Sequence, residues 1–369
     1  MLEAGLIVNP VAGVGGPKGL KGSDGSLAGS ALEMGAVLIS GQRTAEAFES
    51  LIREAQDELI QLPRIMTCSG KMGEDSLRQS GYRNFTIVYE AIEPTSDRDT
   101  TAAARIMKEK GADMIIFSGG DGTARDVVKG VGGGFPVIGI PAGVKMYTGI
   151  FLNRPSDLGR AVMDILNKGL GTTSVELLDF GQASDGPNMG VGRYGKATIP
   201  LLQSIQAGKS EYPTADEDLE GISSYLVENM ENESYYVMGT GSTVKNTVRM
   251  LGYMTPVLGV DIFRGKRLVA SDVTDADLLS LLHEGRRLHV IVTPLGGNGF
   301  IFGRGNQQIS KTFIASLKKE DLIIVASREK INRLGVIRVD TGNTLLDSSL
   351  KGPVEVITGY ASRKICEIV

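Results

Sequence analysis

The segment Gly119-Gly120-Asp121-Gly122-Thr123 places a carboxylate among glycines directly after the apolar run "DMIIFS". A carboxylate in such a turn can accept the proton of an attacking hydroxyl, while backbone amides and the dipole of a following helix bind phosphate. Glycine removes the side chains that would hold an anion away. The alternative is that Asp121 only caps the next helix, which we expect to begin at Thr123 or Ala124.

Two further glycine-rich turns follow apolar runs and would supply more amides for phosphate. The turn after "AGLIV" contains Asn9, Pro10, Gly13, Gly15 and Gly16, with Lys18 and Lys21 beyond it as cations. The turn "GIPAGVKM" contains Gly143, Lys145 and Met146. None of these turns ends in the Gly-Lys-Ser/Thr of a P-loop, and no G-x-G-x-x-G is followed at the right distance by an acidic residue. The spacing therefore argues against a P-loop and against hydride transfer.

The elements that position these turns alternate between short β-branched runs and helix-like stretches. Strand, helix and strand repeated in this way predict a parallel sheet covered on both faces, which we place in a domain of residues 1–155. A helix from Thr44 is predicted to bury one stripe, made of Ala47, Phe48, Leu51, Ile52, Ala55 and Leu59. After about Thr172 the β-like segments lengthen. We therefore predict a second, β-rich α/β domain over residues 156–369.

The composition limits the classes of function. A chain of 369 residues with 41% hydrophobic residues can fill two cores, and its net charge of -4 comes from mixed acidic and basic residues. Nucleic acid is therefore not an expected partner. Cys68, Cys366, His283 and His289 lack metal-ligand spacing, so we expect no zinc and a reducing compartment. Without a basic leader or a bilayer-length apolar window, we expect a cytoplasmic protein with no membrane partner.

The segment Gly299–Ser310 is unusually polar for a turn between glycines. Its side chains suit hydrogen bonds to a ribose, a base edge or phosphate oxygens, and they include Arg304, Asn306, Gln307 and Gln308. The alternative is a loop that holds the domains together. Asp261 and Asp340 follow other β-like runs, and each would either reach Mg²⁺ or cap a turn, the turn being favoured for Asp340.

As a set, "NPVAG", "GGDGT" and "GIPAGVKM" resemble the NAD kinase and diacylglycerol kinase superfamily, and most closely the predicted ATP-NAD kinases that include AcoX-like proteins. The resemblance continues through "KGSDG", "GTGST", "VLGVD", "TPLGGNGFIFGRGNQQIS" and "VDTGN", so it covers nearly the whole chain. It implies a Rossmann-like N-terminal domain, a site in the cleft between domains, and a dimer or tetramer. It also implies ATP or polyphosphate as phosphoryl donor, together with Mg²⁺.

The same resemblance assigns roles to single residues. Asp121 would be the base that accepts the proton of the attacking hydroxyl. Gly119, Gly120, Gly122 and Thr123 would line the phosphates. Thr240, Gly241, Ser242 and Thr243 match the Thr-Gly-Ser-Thr that NAD kinases use near the dinucleotide substrate, although a simple N-capped helix after a strand explains this pattern too.

Two departures from the family pattern leave the acceptor open. The adenosine-binding Asn-Glu pair of NAD kinases has its only counterpart in Asn232-Glu233, too close to "GTGST" for the usual order, and a solvated loop is favoured there. The tyrosine expected after Thr-Gly-Ser-Thr is replaced by Val244 and Lys245. Three hypotheses follow: a kinase of the NAD 2′-hydroxyl, a kinase of another small alcohol or nucleoside, or a nucleotide-binding regulator without turnover. A lipid acceptor is disfavoured because no amphipathic membrane-binding helix is evident.

Overall fold

The computed structural model of the chain describes residues 2–16, 26–143, 146–180, 191–202, 204–205, 216–282 and 287–369. The chain forms two compact units, and each is built on a large sheet with a hydrophobic core on either face. The first unit comprises Met1–Val14 and Gly22–Lys209, and the second comprises Gly15–Lys21 and Ser210–Val369.

The first unit is built on a five-stranded parallel sheet of order β3-β2-β1-β4-β5. Its strands are β1 (Glu3–Val8), β2 (Arg64–Cys68), β3 (Phe85–Tyr89), β4 (Met114–Gly119) and β5 (Val137–Pro141). Its helices are α1 (Ser26–Glu33), α2 (Ser40–Asp57), α3 (Glu74–Ser80), α4 (Asp97–Glu109), α5 (Asp121–Val131) and α6 (Leu158–Lys168). The predicted parallel sheet in the N-terminal part is confirmed.

Both faces of this sheet are buried because successive residues of a strand point to opposite sides. In β4, Met114 and Ile116 pack in the core beneath α2 and α6, whereas Ile115 and Phe117 pack in the core beneath α4 and α5. The continuous apolar run "MIIF" therefore fills two cores at once, as central strands of parallel sheets do.

Helix α2 buries the predicted apolar stripe over most of its length. Ala47, Phe48, Leu51 and Ala55 are buried, and Ile52 is partly buried. Leu59 differs from the prediction, since it lies beyond the end of the helix at a positive φ of 55° and is 93% exposed. The helix also begins earlier than predicted, at Ser40.

The first unit extends beyond the predicted boundary at residue 155. Helix α6 contributes Leu158 and Val162 to the core that contains Phe48. Strands β6 (Thr172–Phe180) and β7 (Val191–Pro200) form an antiparallel hairpin, and Leu177 and Ile199 from it join the core beneath α5. These apolar contacts explain why the division into compact units falls near residue 209 rather than residue 155.

The second unit contains a mixed nine-stranded sheet of order β10-β9-β8-β11-β13-β15-β16-β14-β12. Its strands are β8 (Tyr235–Met238), β9 (Asp261–Arg264), β10 (Arg267–Ala270), β11 (Leu288–Val292), β12 (Phe300–Phe302), β13 (Leu322–Val325), β14 (Val336–Val339), β15 (Gly352–Gly359) and β16 (Ser362–Ile368). Its helices are α7 (Asp216–Asn229), α8 (Ser242–Met250), α9 (Asp275–Leu282), α10 (Lys311–Ala315), α11 (Arg328–Leu334) and α12 (Thr344–Leu350). The predicted β-rich second part of an α/β chain is confirmed.

Each face of the second sheet also carries a core. Val237 of β8 lies in the core with Leu278 of α9 and Phe313 of α10, whereas Met238 lies in the core with Leu226 of α7 and Val244 of α8. None of the helices in the described part of the chain is both long enough and apolar enough to cross a bilayer.

Candidate functional site

Asp121 lies at the carboxyl end of β4 as the first residue of helix α5, and only 1% of it is exposed. Its Oδ2 accepts a hydrogen bond of 2.6 Å from the amide of Tyr147, and Oδ1 accepts one of 3.0 Å from the amide of Thr148. The loop after β5 therefore orients the carboxylate and stabilises its negative charge. Helix capping alone does not account for these two bonds, because both donors lie outside helix α5.

The three predicted turns of the first unit meet at one edge of the sheet, because β1, β4 and β5 are parallel neighbours. Asn9 Nδ2, from the turn after β1, donates to Thr123 Oγ1 of helix α5 at 2.9 Å. The amides of Ala142 and Gly143, from the turn after β5, donate to the carbonyl of Gly119 at 3.1 and 2.9 Å. Asn9, Gly119, Thr123 and Gly143 are thus brought together around Asp121.

The glycines at this edge allow the turns to pack directly on one another. A Cβ on Gly143 would lie 2.3 Å from the Cα of Gly120, and a Cβ on Gly13 would lie 2.1 Å from the carbonyl oxygen of Ala142. Gly13 also has a positive φ of 79°. Their contact with phosphate stays a prediction, and close backbone packing is an additional reason for glycine at these two positions.

Replacing Gly143 with alanine tests this packing. We expect Gly143→Ala to lower the free energy of unfolding by about 1–3 kcal/mol, because the neighbouring atom is backbone and cannot rotate away. Thermal denaturation followed by circular dichroism measures the effect. Gly134→Ala is the matched control, since a Cβ there meets nothing within 4 Å. Equal melting temperatures for the two variants would contradict the close packing of Gly143 on Gly120.

The remaining predicted residues of these turns occupy different surroundings. The Pro10 carbonyl accepts from Ser40 Oγ at 3.1 Å, and Met146 is buried in the core that contains Phe117. Gly15 and Gly16 belong to the second unit, where a Cβ on Gly16 would lie 1.8 Å from Oε1 of Gln307. Gly122 is the second residue of helix α5. Lys18, Lys21 and Lys145 lie outside the described residues.

Tyr147 and Thr148 are the residues at this site that the sequence analysis missed. Besides donating its amide to Asp121, Thr148 bonds to Leu178 of β6 twice, donating Oγ1–H to the carbonyl at 3.1 Å and accepting from the amide at 3.0 Å. Burial raises the pKa of the Tyr147 phenol, and the Asp121 charge raises it further, so the phenol stays protonated at neutral pH. Their only sequence signal was their position directly after "GIPAGVKM".

In the second unit the structure brings the "GTGST" turn and the polar loop at 303–306 together. The Thr240 amide donates to Asn306 Oδ1 at 2.8 Å, and Thr240 Oγ1 donates to the Gly305 carbonyl at 3.0 Å. Asn306 Nδ2 donates to the Ile301 carbonyl at 2.9 Å. Gly241, at a φ of 104°, is the N-cap residue of helix α8, which begins with Ser242 and Thr243.

Arg304 is buried and bonded inside the second unit. Its Nε lies 3.2 Å from Asp340 Oδ2, and its guanidinium stacks 4.2 Å from the centre of the Phe300 ring. Arg304 and Asn306 thus both bind groups of their own unit, and their contact with substrate stays a prediction. Gln308 has a similar role, since its Nε2 donates to the Leu258 carbonyl at 3.3 Å.

The two carboxylates considered for Mg²⁺, Asp261 and Asp340, form hydrogen bonds and ion pairs with other residues of the protein. Asp261 is fully buried, lies 2.5 Å from Lys245 Nζ, and accepts hydrogen bonds from Thr255 Oγ1, Ser271 Oγ and the Asp272 amide. Asp340 is paired with Arg304. Among the described residues, no group of three or more His, Cys, Asp and Glu side chains could hold a metal. Asp261 and Asp340 therefore bind protein donors in this structure, and their contact with Mg²⁺ stays a prediction.

Two other sequence candidates lie apart from these motifs. Glu233 is exposed and pairs with Arg264. Its exposure is what we expect of a residue in a solvated loop. His289 stacks on Tyr236 and lines a cavity of about 420 Å³, together with Leu226, Ile291 and Ile357, none of them a motif residue. Burial lowers the His289 pKa, and the neighbouring Arg287 charge adds to the effect.

Comparison with known families agrees with the motifs and the fold. Residues 5–170 match the model described as ATP-NAD kinase N-terminal domain, and residues 231–368 match that described as ATP-NAD kinase C-terminal domain. The chain belongs to the ATP-NAD kinase-like family, which confirms the resemblance seen in its turns. Membership makes it a nucleotide-binding phosphotransferase of the NAD kinase family.

Two other comparisons add nothing to this assignment. No curated protein matches the chain. A solved structure described as a conserved domain protein from Vibrio cholerae O1 biovar eltor str. N16961 has 8% sequence identity and a TM-score of 0.24, over 90% of this chain and 75% of that one. A similarity at that level carries no argument about fold or function.

Proposed function

We propose that this protein transfers the γ-phosphoryl group of ATP to the 2′-hydroxyl of NAD, giving NADP and ADP. The observation that supports this most directly is the Asp121 carboxylate, held by two backbone amides at the edge where the turns after β1, β4 and β5 meet. Polyphosphate is the alternative donor, since amides at such an edge bind phosphate and not the base.

In the proposed reaction, the 2′-oxygen forms a bond to the γ-phosphorus as the bond from that phosphorus to the bridging oxygen of ADP breaks. ADP leaves with the bonding electron pair, and the hydroxyl proton passes to Asp121. Each Asp121 oxygen accepts an amide hydrogen bond, and a carboxylate oxygen has two lone pairs, so it can also accept a bond from a substrate hydroxyl.

A second candidate retains the chemistry but changes the acceptor to another small alcohol or a nucleoside. Two observations favour it. Asn232 and Glu233 lie in an exposed loop, where Glu233 pairs with Arg264. Lys245, near the position of the expected tyrosine, is buried in an ion pair with Asp261.

A coupled assay with the full chain, NAD, ATP and Mg²⁺, in which a strictly NADP-dependent enzyme reports the product, tests the proposal. Sustained NADP formation is the expected result. Transfer of labelled phosphate to other hydroxyl compounds, with none to NAD, would replace it with the second candidate. Tight binding of NAD and ATP without transfer to any acceptor would instead indicate a nucleotide-binding regulator.

A further inference from the structure

Thr148 makes hydrogen bonds in two directions from a fully buried position. Its amide donates to Asp121 Oδ1 at 3.0 Å. Its hydroxyl is directed at strand β6, where it donates to the Leu178 carbonyl at 3.1 Å and accepts from the Leu178 amide at 3.0 Å. The hydroxyl thereby satisfies two buried backbone groups of one residue, as a neighbouring strand would. Thr148 thus joins Asp121 to the β6–β7 hairpin.

The hairpin is held by packing at the point where the hydroxyl binds it. Leu177, the residue before Leu178, lies in the core beneath helix α5. The pairing of β6 with β7 contains a bulge between Leu177 and Leu178, and Tyr194 is the extra residue. The ring centre of Tyr194 lies 5.6 Å from the guanidinium carbon of Arg125 in helix α5. The hairpin therefore contacts both the loop after β5 and the helix that begins with Asp121.

The segment after Thr148 is attached to the sheet independently of this hydroxyl. The Gly139 amide of β5 donates to the Ile150 carbonyl at 2.9 Å, and the Leu152 amide donates to the Gly139 carbonyl at 2.8 Å. Phe151, between them, is buried in the core beneath α5. Loss of the Thr148 hydroxyl should therefore leave the segment attached and release only the part next to Asp121.

We propose that Thr148 is a positioning residue of the phosphoryl transfer, because its hydroxyl fixes on the β6–β7 hairpin the amides that bind Asp121. Amides that donate to a carboxylate restrict its orientation and favour its charged form, which is the form that accepts a proton. This inference rests on the proposed function in taking Asp121 as the base. It extends that function by giving the hairpin a part in the reaction.

The kinetic test compares the full chain with Thr148→Val, which keeps the shape and removes the hydroxyl, and with Thr148→Ser, which keeps the hydroxyl. We expect Thr148→Val to lower kcat of NADP formation roughly 10–100-fold, because small displacements of a catalytic group are costly. The KM values for NAD and ATP should stay within about threefold, since the hydroxyl binds neither substrate. Thr148→Ser should retain kcat within about threefold of the parent.

A double-variant cycle separates positioning from a general loss of structure. In the Asp121→Asn background the carboxylate is absent, so adding Thr148→Val should lower the residual rate by less than about threefold. Equal fold-losses in the two backgrounds would show that Thr148 acts independently of Asp121, and would overturn the inference.

Thr67→Val is the matched control. Thr67 is also fully buried in the first unit, and its Oγ1 donates to the Leu6 carbonyl at 3.1 Å. It lies in β2, which β1 separates from β4. Both variants lose a buried hydroxyl bonded to a strand backbone, but we expect only Thr148→Val to lose kcat. An equal loss of kcat in Thr67→Val would overturn the inference, because it would trace the effect to the fold.

Hydrogen exchange of the Tyr147 and Thr148 amides gives a readout without substrate. In peptic peptides analysed by mass spectrometry, these amides should exchange at least about tenfold faster in Thr148→Val than in the parent, because the loop next to Asp121 opens more readily. Thr67→Val should leave their exchange unchanged. Unchanged exchange in Thr148→Val would overturn the inference.

The outcomes also separate this inference from the proposed function. If the parent protein forms NADP and Thr148→Val has the same kcat, the proposed function stands and the inference fails. If the parent transfers phosphate only to another alcohol, the same kinetic comparison applies with that acceptor. If it transfers phosphate to no acceptor, the proposed function fails and hydrogen exchange decides the inference: faster exchange in Thr148→Val supports it, and unchanged exchange overturns it.

Discussion

Asp121→Asn is expected to lower the rate of NADP formation by about 10²–10⁴-fold, because it removes the group that accepts the proton of the attacking hydroxyl. The measurement is the initial rate in the coupled assay under saturating NAD and ATP. ATP binding should persist, since the amides at this edge of the sheet remain. Turnover equal to that of the parent protein would exclude Asp121 as the base.

The structure adds a consequence for stability. Asparagine offers one acceptor oxygen where aspartate offers two, so one of the amides of Tyr147 and Thr148 would lose its partner. We expect a cost of about 1–3 kcal/mol, and rates must therefore be compared well below the melting temperature of the variant.

Asp97→Asn is the matched control for this substitution. Asp97 is likewise the first residue of a helix, α4, but it is exposed. We expect this variant to retain both the rate and the melting temperature of the parent. A similar loss of activity in Asp97→Asn would mean that the assay reports folding rather than chemistry.

The second large effect is expected at the buried ion pair between Lys245 and Asp261. Lys245→Met should lower the free energy of unfolding by about 3–5 kcal/mol, because it leaves the Asp261 carboxylate buried without its cation. Urea denaturation followed by far-ultraviolet circular dichroism measures the loss. The double variant Lys245→Met and Asp261→Asn should recover a large part of it, since no uncompensated charge remains.

Lys168→Met is the control for this prediction. Lys168 pairs with Asp164 across one turn of helix α6, with its own side chain 73% exposed. Surface pairs of this kind contribute about 0.2–1 kcal/mol, so a small change is expected. If Lys245→Met proved no more destabilising than Lys168→Met, the Lys245–Asp261 pair would not stabilise the second unit as its burial implies.

The position of the domain boundary could not be predicted from local sequence patterns. The change from helical to longer β-like segments is visible in the sequence, but it does not show on which core those segments pack. Leu177 and Ile199 of the β6–β7 hairpin complete the core beneath α5, so the hairpin belongs to the first unit. Apolar residues indicate burial, and only the folded chain determines their neighbours.

The amino-acid sequence by itself determined the N-terminal parallel sheet, the β-rich second part of the chain and the family, because these follow from local apolar patterns and from glycine-rich turns at the ends of strands. It also placed Asp121 at the end of β4, since the apolar run stops there. Each of these features can be predicted from residues that are close to one another in the sequence.

The tertiary structure alone decided what each polar side chain binds. Asp121 accepts hydrogen bonds from amides 26 and 27 residues away in the sequence, and Asp261 pairs with Lys245, which lies 16 residues away. Arg304 and Asn306, predicted to bind substrate, bond within their own unit. A hydrogen bond depends on distance and direction between particular atoms, and residue type and spacing determine neither until the strands and turns are packed.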